Sequence, residues 1–541
     1  MYIGDKKRID ISSSQFSDFI ENGRLYVDKT AFIEHVLQDE SKVLLFTRPR
    51  RMGKSLNMNT LATFLDCKRD TAHLFRGLYI ETSPEFAQIN RYPVIYLSFR
   101  ELKPDDYKWR FKHNLRQIAE SYLKEGQIGA ELTEYFVDKD NNTTGALLDL
   151  TKNLHAAYGV KPYVLIDEYD KFLMDNIHSP ELAVLKRWLT DIFGSALKDN
   201  GSLGKAVLTG VTRVAKENMF SGLNNLKVYD VLTASVYDTD FSLAESELTE
   251  LVPEKAIGGV RRWYNNMRVG NTWLYNIYSV MNYLSDHERK LMGYWSMSGS
   301  DELLLSLLTG PRAEAIGSML ADGSHRHETM LDHRLTMDHL REVSRCSDVS
   351  FYTLAVQAGY LTFEPVGGNV YKVFIPNEEA KRVWARLLLD YRYNGDDGKL
   401  AAIFAGISKV DNFSKQLTEF VSMVLSYNDF KEKENAEWVY HVFFLGLVYS
   451  LGYKCKSNLE AGLGRFDIAL KTPGFAAVIE FKVAKDADDK AMEAGVKEAL
   501  AQIDEKEYWR EFLGSDLPVY KIGISCHGKK CLAGTVLHVW H

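Results

Sequence analysis

Cysteine is scarce in this 541-residue chain, with five residues, Cys67, Cys346, Cys455, Cys526 and Cys531. So small, odd and scattered a set excludes a disulfide framework and points to a reducing compartment. Cys526 and Cys531 are near neighbours, but no second pair completes a zinc site, so packed thiols are expected there. Long hydrophobic runs are missing as well. No uncharged apolar stretch reaches the ~18–20 residues of a membrane span. The opening MYIGDKKRIDISSSQF has no apolar core of the signal-peptide kind. These absences lead to the expectation of a cytoplasmic protein with no membrane partner. There is no internal repeat and no low-complexity tract. A basic excess is also lacking: the formal net charge is −7. That excludes a protein coated along its length by nucleic acid, yet leaves room for one basic groove.

What is present is ordinary globular material, 45% apolar, enough to bury sizeable cores. The length predicts three or four domains. Up to about residue 235, short apolar runs (Val43–Thr47, Val94–Phe99, Tyr163–Ile166, Ala206–Gly210) alternate with helical patterns. That alternation predicts a parallel sheet covered on both faces, hence an α/β fold. Residues 236–290 read as a helical lid, with helices at Glu245–Leu251 and Ile257–Met267. Residues 291–400 read as a linker and helical region. Within it, Gly359–Pro376 predicts strand, turn and strand about Gly367-Gly368, and His325, His327 and His333 read as a solvated loop and helix face. Residues 401–541 read as a second α/β unit, with a hairpin at Arg465–Val483 and a long helix from Ala487 to Phe512.

The strongest local signal is VLLFTRPRRMGKSL, an apolar strand, a polar loop and a helix start. That is the context of a phosphate-binding P-loop. Gly53 lets backbone approach phosphate, Lys54 would reach the β- and γ-phosphates, and the Ser55 hydroxyl would ligate Mg²⁺. The generic motif has glycine where this chain has Arg48. The loop arginines, Arg50 and Arg51 among them, are read as adding charge-assisted contacts to the triphosphate of ATP; the alternative is a basic turn before a helix. YVLIDEYD (Tyr163–Asp170) has the form of a Walker B strand. Asp167 would hold Mg²⁺ through water and Glu168 would polarise the attacking water. Thr209, ending AVLTG, would sense the γ-phosphate with Arg213 near it; the alternative for Arg213 is a surface salt bridge.

Taken in order, these residues resemble the AAA-ATPase-like family of bacterial proteins, whose members often carry a C-terminal PD-(D/E)XK nuclease-superfamily domain. The matching pieces are Tyr26-Val27-Asp28-Lys29-Thr30, Arg48-Pro49-Arg50-Arg51-Met52-Gly53-Lys54-Ser55-Leu56, Leu165-Ile166-Asp167-Glu168-Tyr169-Asp170 and Thr209-Gly210-Val211-Thr212-Arg213. The resemblance continues through Trp263-Tyr264, Tyr275-Asn276, Tyr294-Trp295 and Ile375-Pro376-Asn377. Pro-Arg-Arg before Gly-Lys-Ser is similar to the family's own loop, and Asn265-Asn266 departs from its Asp-Gly. The resemblance implies ATP binding by a P-loop domain over 1–235 and a restriction-endonuclease-like α/β domain over 401–541.

The C-terminal chemistry also follows from spacing. If Pro473 and Gly474 are the two central turn residues, Thr472 faces Phe475, and stepping outward sets Asp467 opposite Glu480. Two such carboxylates repel, and a cation resolves the repulsion. Glu480 and Lys482 share one strand face. Asp…Glu-x-Lys on one face resembles the PD-(D/E)XK signature, which implies Asp467 and Glu480 holding Mg²⁺ and Lys482 orienting or deprotonating water, or stabilising the pentavalent oxygens. Otherwise Lys482 only pairs with Glu480 at a sheet edge. Glu437, sharing a helix face with His441, would add a metal carboxylate, or else is a capping or surface pair. Gln502 also matches the superfamily. The expectation is an ATP-dependent or ATP-regulated nuclease whose partner is DNA or RNA. The alternative is a nucleotide-switched regulatory or scaffold protein whose C-terminal domain binds without cutting.

Overall fold

The computed structural model describes residues 2–5, 8–123, 143–213, 225–265, 267–295, 301–321, 323–333, 335–393, 402–424, 444, 448, 453–457, 460–461, 464–465, 467–527 and 530–538. They gather into two compact units: residues 1–298 with 328–377, and residues 299–327 with 378–541. Among the described residues no helix is long and apolar enough to cross a membrane.

The first unit is built on a parallel sheet of β1 (Val43–Thr47), β2 (Val94–Ser98), β3 (Tyr163–Asp167), β4 (Lys205–Gly210) and β5 (Leu226–Tyr229). Its order is β2-β3-β4-β1-β5. Every residue of β1, β3 and β4 is buried, so these strands read as unbroken apolar runs and not as alternations. Leu44, Phe46, Leu165 and Val207 pack with Phe32, Leu61 and Phe64 in one core. Each such side chain contributes roughly 1.5–3 kcal/mol when fully buried. The helices α1 (Ala31–Gln38), α2 (Lys54–Leu65), α3 (Tyr107–Leu123), α4 (Ala146–Tyr158) and α5 (Leu182–Leu197) accompany the strands. Because the strands are parallel, their carboxyl ends share one edge, where Thr47 pairs with Gly210 and Ser98 with Asp167. The chain leaves β1 for the far strand β2 and returns through β3 and β4. A crevice outside the strand ends at such a reversal is where α/β sheets bind ligands.

Three helices follow, α6 (Glu245–Leu251), α7 (Glu254–Tyr264) and α8 (Ile277–Ser285), with a small hairpin of Met267–Val269 and Thr272–Leu274 between the last two. The expected helix Ile257–Met267 therefore starts and stops three residues early. Pro253 at the N-cap (φ −57°) brings the start forward, and Met267 enters the hairpin. The Asp28-Lys29-Thr30 segment has a structural role here. Asp28 accepts the Thr30 amide (2.9 Å) and, through its other oxygen, the Tyr79 amide (2.7 Å). The buried Lys29 ammonium donates to Thr239 O (2.9 Å) and to Glu247 on α6 (2.6 Å), stapling the N-terminal segment to that helix.

Further on, α9 (Asp348–Gln357) precedes a hairpin of β6 (Thr362–Gly367) and β7 (Val370–Phe374). Gly368 turns it at φ +58°, a conformation glycine adopts without a Cβ clash. His333 is not simply solvated: its Nδ1 lies 2.7 Å from Asp230, which holds the imidazole above its ordinary pKa.

The second unit centres on a mixed sheet, β8 (Lys454–Ser457), β9 (Ile468–Lys471), β10 (Ala476–Val483), β11 (Val519–His527) and β12 (Lys530–Leu537), hydrogen-bonded in that order. Among the described strands of this sheet, β10 and β11 pair in parallel and the other pairs are antiparallel. The helix α10 (Val410–Val424) precedes the sheet, and α11 (Asp489–Glu505) crosses over between β10 and β11. The expected helix from Ala487 to Phe512 is shorter: Asp488 caps its start, and Glu507 at φ +51° breaks it from a 3₁₀ turn at Tyr508–Phe512. Cys526 and Cys531, expected as packed thiols, sit directly opposite across β11 and β12 and form a disulfide with Cα atoms 4.2 Å apart. That correction has a plain cause: the antiparallel register joins residues whose sequence spacing alone does not pair them.

Candidate active sites

At the carboxyl edge of the first sheet, Thr47 ends β1 and Lys54 opens α2. Gly53 between them has φ +81°, and a Cβ there would meet nothing within 4 Å. Glycine is thus required by the turn and not by crowding. Lys54 Nζ donates to Arg48 O (2.9 Å) and Pro49 O (2.7 Å), which draws the loop round the ammonium. Burial lowers this ammonium to about 8, against the pull of Asp167, Asp170 and Glu168. A polyphosphate would restore what burial removes.

Asp167 collects the hydroxyls. Ser55 Oγ donates to its Oδ2 at 2.6 Å, and Thr209 Oγ1 donates to its Oδ1. The next residue, Glu168, adopts φ +52°, and its Oε2 is buried without a hydrogen-bond partner. Burial first, and the Asp167 charge second, raise its pKa.

The loop arginines divide. Arg48 turns inward, fully buried, donating to Thr47 O (3.0 Å) and Tyr229 O (2.7 Å) and lying 5.2 Å from the Phe241 ring centroid. Burial lowers it to about 10, against the attraction of Asp238, Asp230 and Asp240. Arg48 is therefore a strut behind the loop and not a triphosphate contact. Arg51 stacks its guanidinium on Tyr278, 4.5 Å from the ring centroid, and Arg50 is half-buried. Arg213 is held by its backbone, its N–H to Gln357 Oε1 (3.4 Å) and its carbonyl to the Leu335 amide (3.3 Å).

In the second unit, the Thr472 amide donates to Phe475 O at 2.8 Å, so Pro473 and Gly474 are the two turn residues. The Thr472 hydroxyl oxygen accepts the Phe475 and Gly474 amides, 3.0 and 3.2 Å away, and clamps the turn. Pairing runs out to Ile468 with Ile479, so the next step sets Asp467 against Glu480. Asp467 Oδ2 accepts the Phe481 amide at 2.8 Å. Glu480 is 2% exposed; its Oε1 accepts Lys482 Nζ (3.4 Å) and Gln502 Nε2, while Oε2 is buried and unpaired. Burial, then the neighbouring Asp467 charge, push Glu480 well above the ordinary carboxylate range, and burial also raises Asp467.

Residues 10–220 match the family model described as predicted AAA-ATPase, and residues 435–535 match the PD-(D/E)XK nuclease superfamily. The chain therefore carries an AAA-ATPase-like domain and, C-terminal to it, a PD-(D/E)XK nuclease-superfamily domain. A similar protein of Azotobacter chroococcum mcd 1, "Uncharacterized protein in vnfD 5'region", is 27% identical over 543 residues and covers 96% of both chains. Among solved structures, the Walker-type ATPase PABY2304 of Pyrococcus abyssi is 16% identical, with a TM-score of 0.34, over 66% of this chain and 94% of that one. Drosophila ORC bound to AT-rich DNA and Cdc6 is 11% identical, with a TM-score of 0.19, over 70% of this chain and 90% of that one.

In the nuclease-superfamily domain, Glu437 and His441 lie outside the described residues. Among the described residues no group of three or more His, Cys, Asp or Glu is arranged to hold a metal. The donor set on hand is Asp467 and Glu480, and the unpaired Glu480 Oε2 suits a hard cation. In the AAA-ATPase-like domain, Ser55 and Asp167 suit Mg²⁺ for the same oxygen-donor reason.

The sequence reading gave no role to two neighbours. Tyr508 is 2% exposed and its hydroxyl lies 3.3 Å from Gln502 Nε2, bracing the amide that touches Glu480. Asp170 lies in the turn after β3 and accepts the Val211 and Thr212 amides. Its only sequence signal was being a third acid in IDEYD, which does not say what it holds.

Proposed function

We propose that the chain binds ATP with Mg²⁺ and hydrolyses it in the AAA-ATPase-like domain, and cleaves phosphodiester bonds of DNA or RNA with Mg²⁺ in the nuclease-superfamily domain. One observation carries both halves of the reading. Each site pairs adjacent or facing acids and leaves one carboxylate oxygen, Glu168 Oε2 or Glu480 Oε2, buried and unpaired. An unsatisfied buried acid costs about 1–3 kcal/mol or more, so a folded chain retains it where a ligand will use it.

In the first site Gly53 and Lys54 would cradle the β- and γ-phosphates, with Arg50 and Arg51 at the loop's outer side. Ser55 and Asp167 would hold Mg²⁺, and Thr209 and Arg213 would face the γ-phosphate. Glu168 Oε2 would accept the proton of the attacking water. In the second, Asp467 and Glu480 would hold Mg²⁺, and Lys482 Nζ would orient water or stabilise the pentavalent oxygens. The bound cation supplies charge neutralisation at both phosphoryl centres.

The test uses the full chain with Mg²⁺ or Mn²⁺ on single- and double-stranded DNA and RNA. Cutting should disappear in Asp467→Ala combined with Lys482→Ala, with nucleic-acid binding retained. If wild-type protein that binds ATP leaves every nucleic acid intact, the nuclease half is wrong, and a nucleotide-switched binding protein replaces it.

A further inference from the structure

Asp167 and Asp170 belong to one turn after β3 but face different partners. While Asp167 takes the Ser55 and Thr209 hydroxyls, Asp170 is 3% exposed and directs Oδ2 at the loop after β4. That oxygen accepts the Val211 amide (3.0 Å), the Thr212 amide (2.7 Å) and the Thr212 hydroxyl (2.8 Å). Tyr169, fully buried between the two acids' neighbours, donates its hydroxyl to Thr212 O at 2.7 Å and its amide to Thr209 O at 2.9 Å. The turn and the loop touch: a Cβ at Gly210 would lie 2.6 Å from the Tyr169 ring and 2.7 Å from Asp170 Oδ1. Hydrogen bonds to a carboxylate are roughly twice as strong as neutral ones. Three of them on one buried oxygen make Asp170 the main anchor of residues 211–212.

The consequence concerns the chemistry on either side of the anchor. Thr209 precedes the held residues and Arg213 follows them. Thr209 is fixed within β4 and by Asp167, so moving 211–212 shifts Arg213 relative to Thr209, Ser55 and Asp167. The loop's outer side is held less tightly, since the Arg213 contacts to Gln357 and Leu335 are 3.4 and 3.3 Å.

We propose that Asp170 is a positioning residue for ATP hydrolysis, holding the 211–213 segment so that Arg213 meets the γ-phosphate beside Thr209. This rests on the ATP-site reading above. Asp170 touches neither nucleotide nor metal; it acts through the two amides and the hydroxyl it accepts. An asparagine in its place has the same shape but turns at most one oxygen, uncharged, toward three donors.

The experiment measures turnover, and the affinity ratio of a non-hydrolysable ATP analogue to ADP, in full-length wild type, Asp170→Asn, Thr212→Val and Lys54→Ala. Asp170→Asn should lower kcat about 10- to 100-fold, the scale of a small misplacement of reacting groups, with KM little changed. Its preference for the ATP analogue over ADP should shrink. Thr212→Val, which removes only the hydroxyl donor, should fall between it and wild type. Wild-type kcat and wild-type preference in Asp170→Asn overturn the proposal. So does a folded Asp170→Asn that loses nucleotide as fully as Lys54→Ala, because that marks a binding group. If Asp170→Asn does not fold, Thr212→Val decides, and wild-type values there overturn it. A wild-type chain that binds no ATP, or a Lys54→Ala chain that binds it normally, sinks the ATP-site reading instead.

Discussion

Glu480 carries an acid whose neutral form the protein favours, through burial and the Asp467 charge. Its folded pKa lies above its unfolded one, so the metal-free fold binds the extra proton more tightly. The stabilisation is full below the ordinary glutamate range and is lost as pH rises through the raised value. Without divalent cation, the second unit should therefore melt at lower temperature as pH rises above about 5. Mg²⁺ should reverse the trend, since it binds the ionised pair. Calorimetry with chelator and with Mg²⁺ over pH 5 to 9 checks this; a flat profile in both would count against the acid pair as a cation site. Glu480→Gln should flatten the metal-free profile while cutting cleavage by about 100-fold or more. A second residue behaves in the opposite sense. Arg48 is fully buried with Nε and Nη2 unpaired. Its Nη1 nevertheless donates to two buried carbonyls, and Asp230, Asp238 and Asp240 attract its charge, so removing it leaves buried partners uncompensated. Arg48→Met should therefore lower the denaturation midpoint while keeping ATP affinity, and Arg48→Ala, which also leaves a cavity, should cost about 3–5 kcal/mol in stability.

Elements were legible to the degree that local chemistry sets them. The hairpin of β9 and β10 could be registered from Pro473-Gly474 and a two-residue period, and its pairing runs through Ile468 and Ile479. A register shift of one residue would turn Asp467 to the other face. Inserting one glycine between Pro473 and Gly474 should thus abolish metal-dependent cleavage while leaving ATP binding intact, read by parallel cleavage and nucleotide-binding assays. Retained cleavage would mean that the facing acids are not the site. The buried strands β1, β3 and β4 were equally readable, because apolar runs bounded by turns have few other uses. The end of α7 and the break before Tyr508 were not, since a residue at positive φ such as Glu507 leaves no mark in hydropathy.

At the scale of the whole molecule, an ATPase-like sheet and a nuclease-like sheet share one chain, in units of 1–298 with 328–377 and 299–327 with 378–541. If nucleotide state governs cutting, a non-hydrolysable ATP analogue should change the cleavage rate several-fold, a coupling of about 1 kcal/mol or more. Lys54→Ala should remove that response without changing the nucleotide-free rate. An analogue effect that persists in Lys54→Ala would show that it does not act through the P-loop.

Both active-site candidates were visible in one dimension where a strand or a turn brings residues together: Gly53 with Lys54 and Ser55, Asp167 with Glu168, Asp467 with Glu480 and Lys482. Short-range geometry allows few arrangements for such segments, so composition and spacing suffice. Tertiary packing alone decided the rest. It buried Arg48, gave Asp170 the amides of residues 211 and 212, set Tyr508 behind Gln502 and joined Cys526 to Cys531. Those partners are chosen by which surfaces meet when apolar area is removed from water, and that choice depends on the whole fold at once.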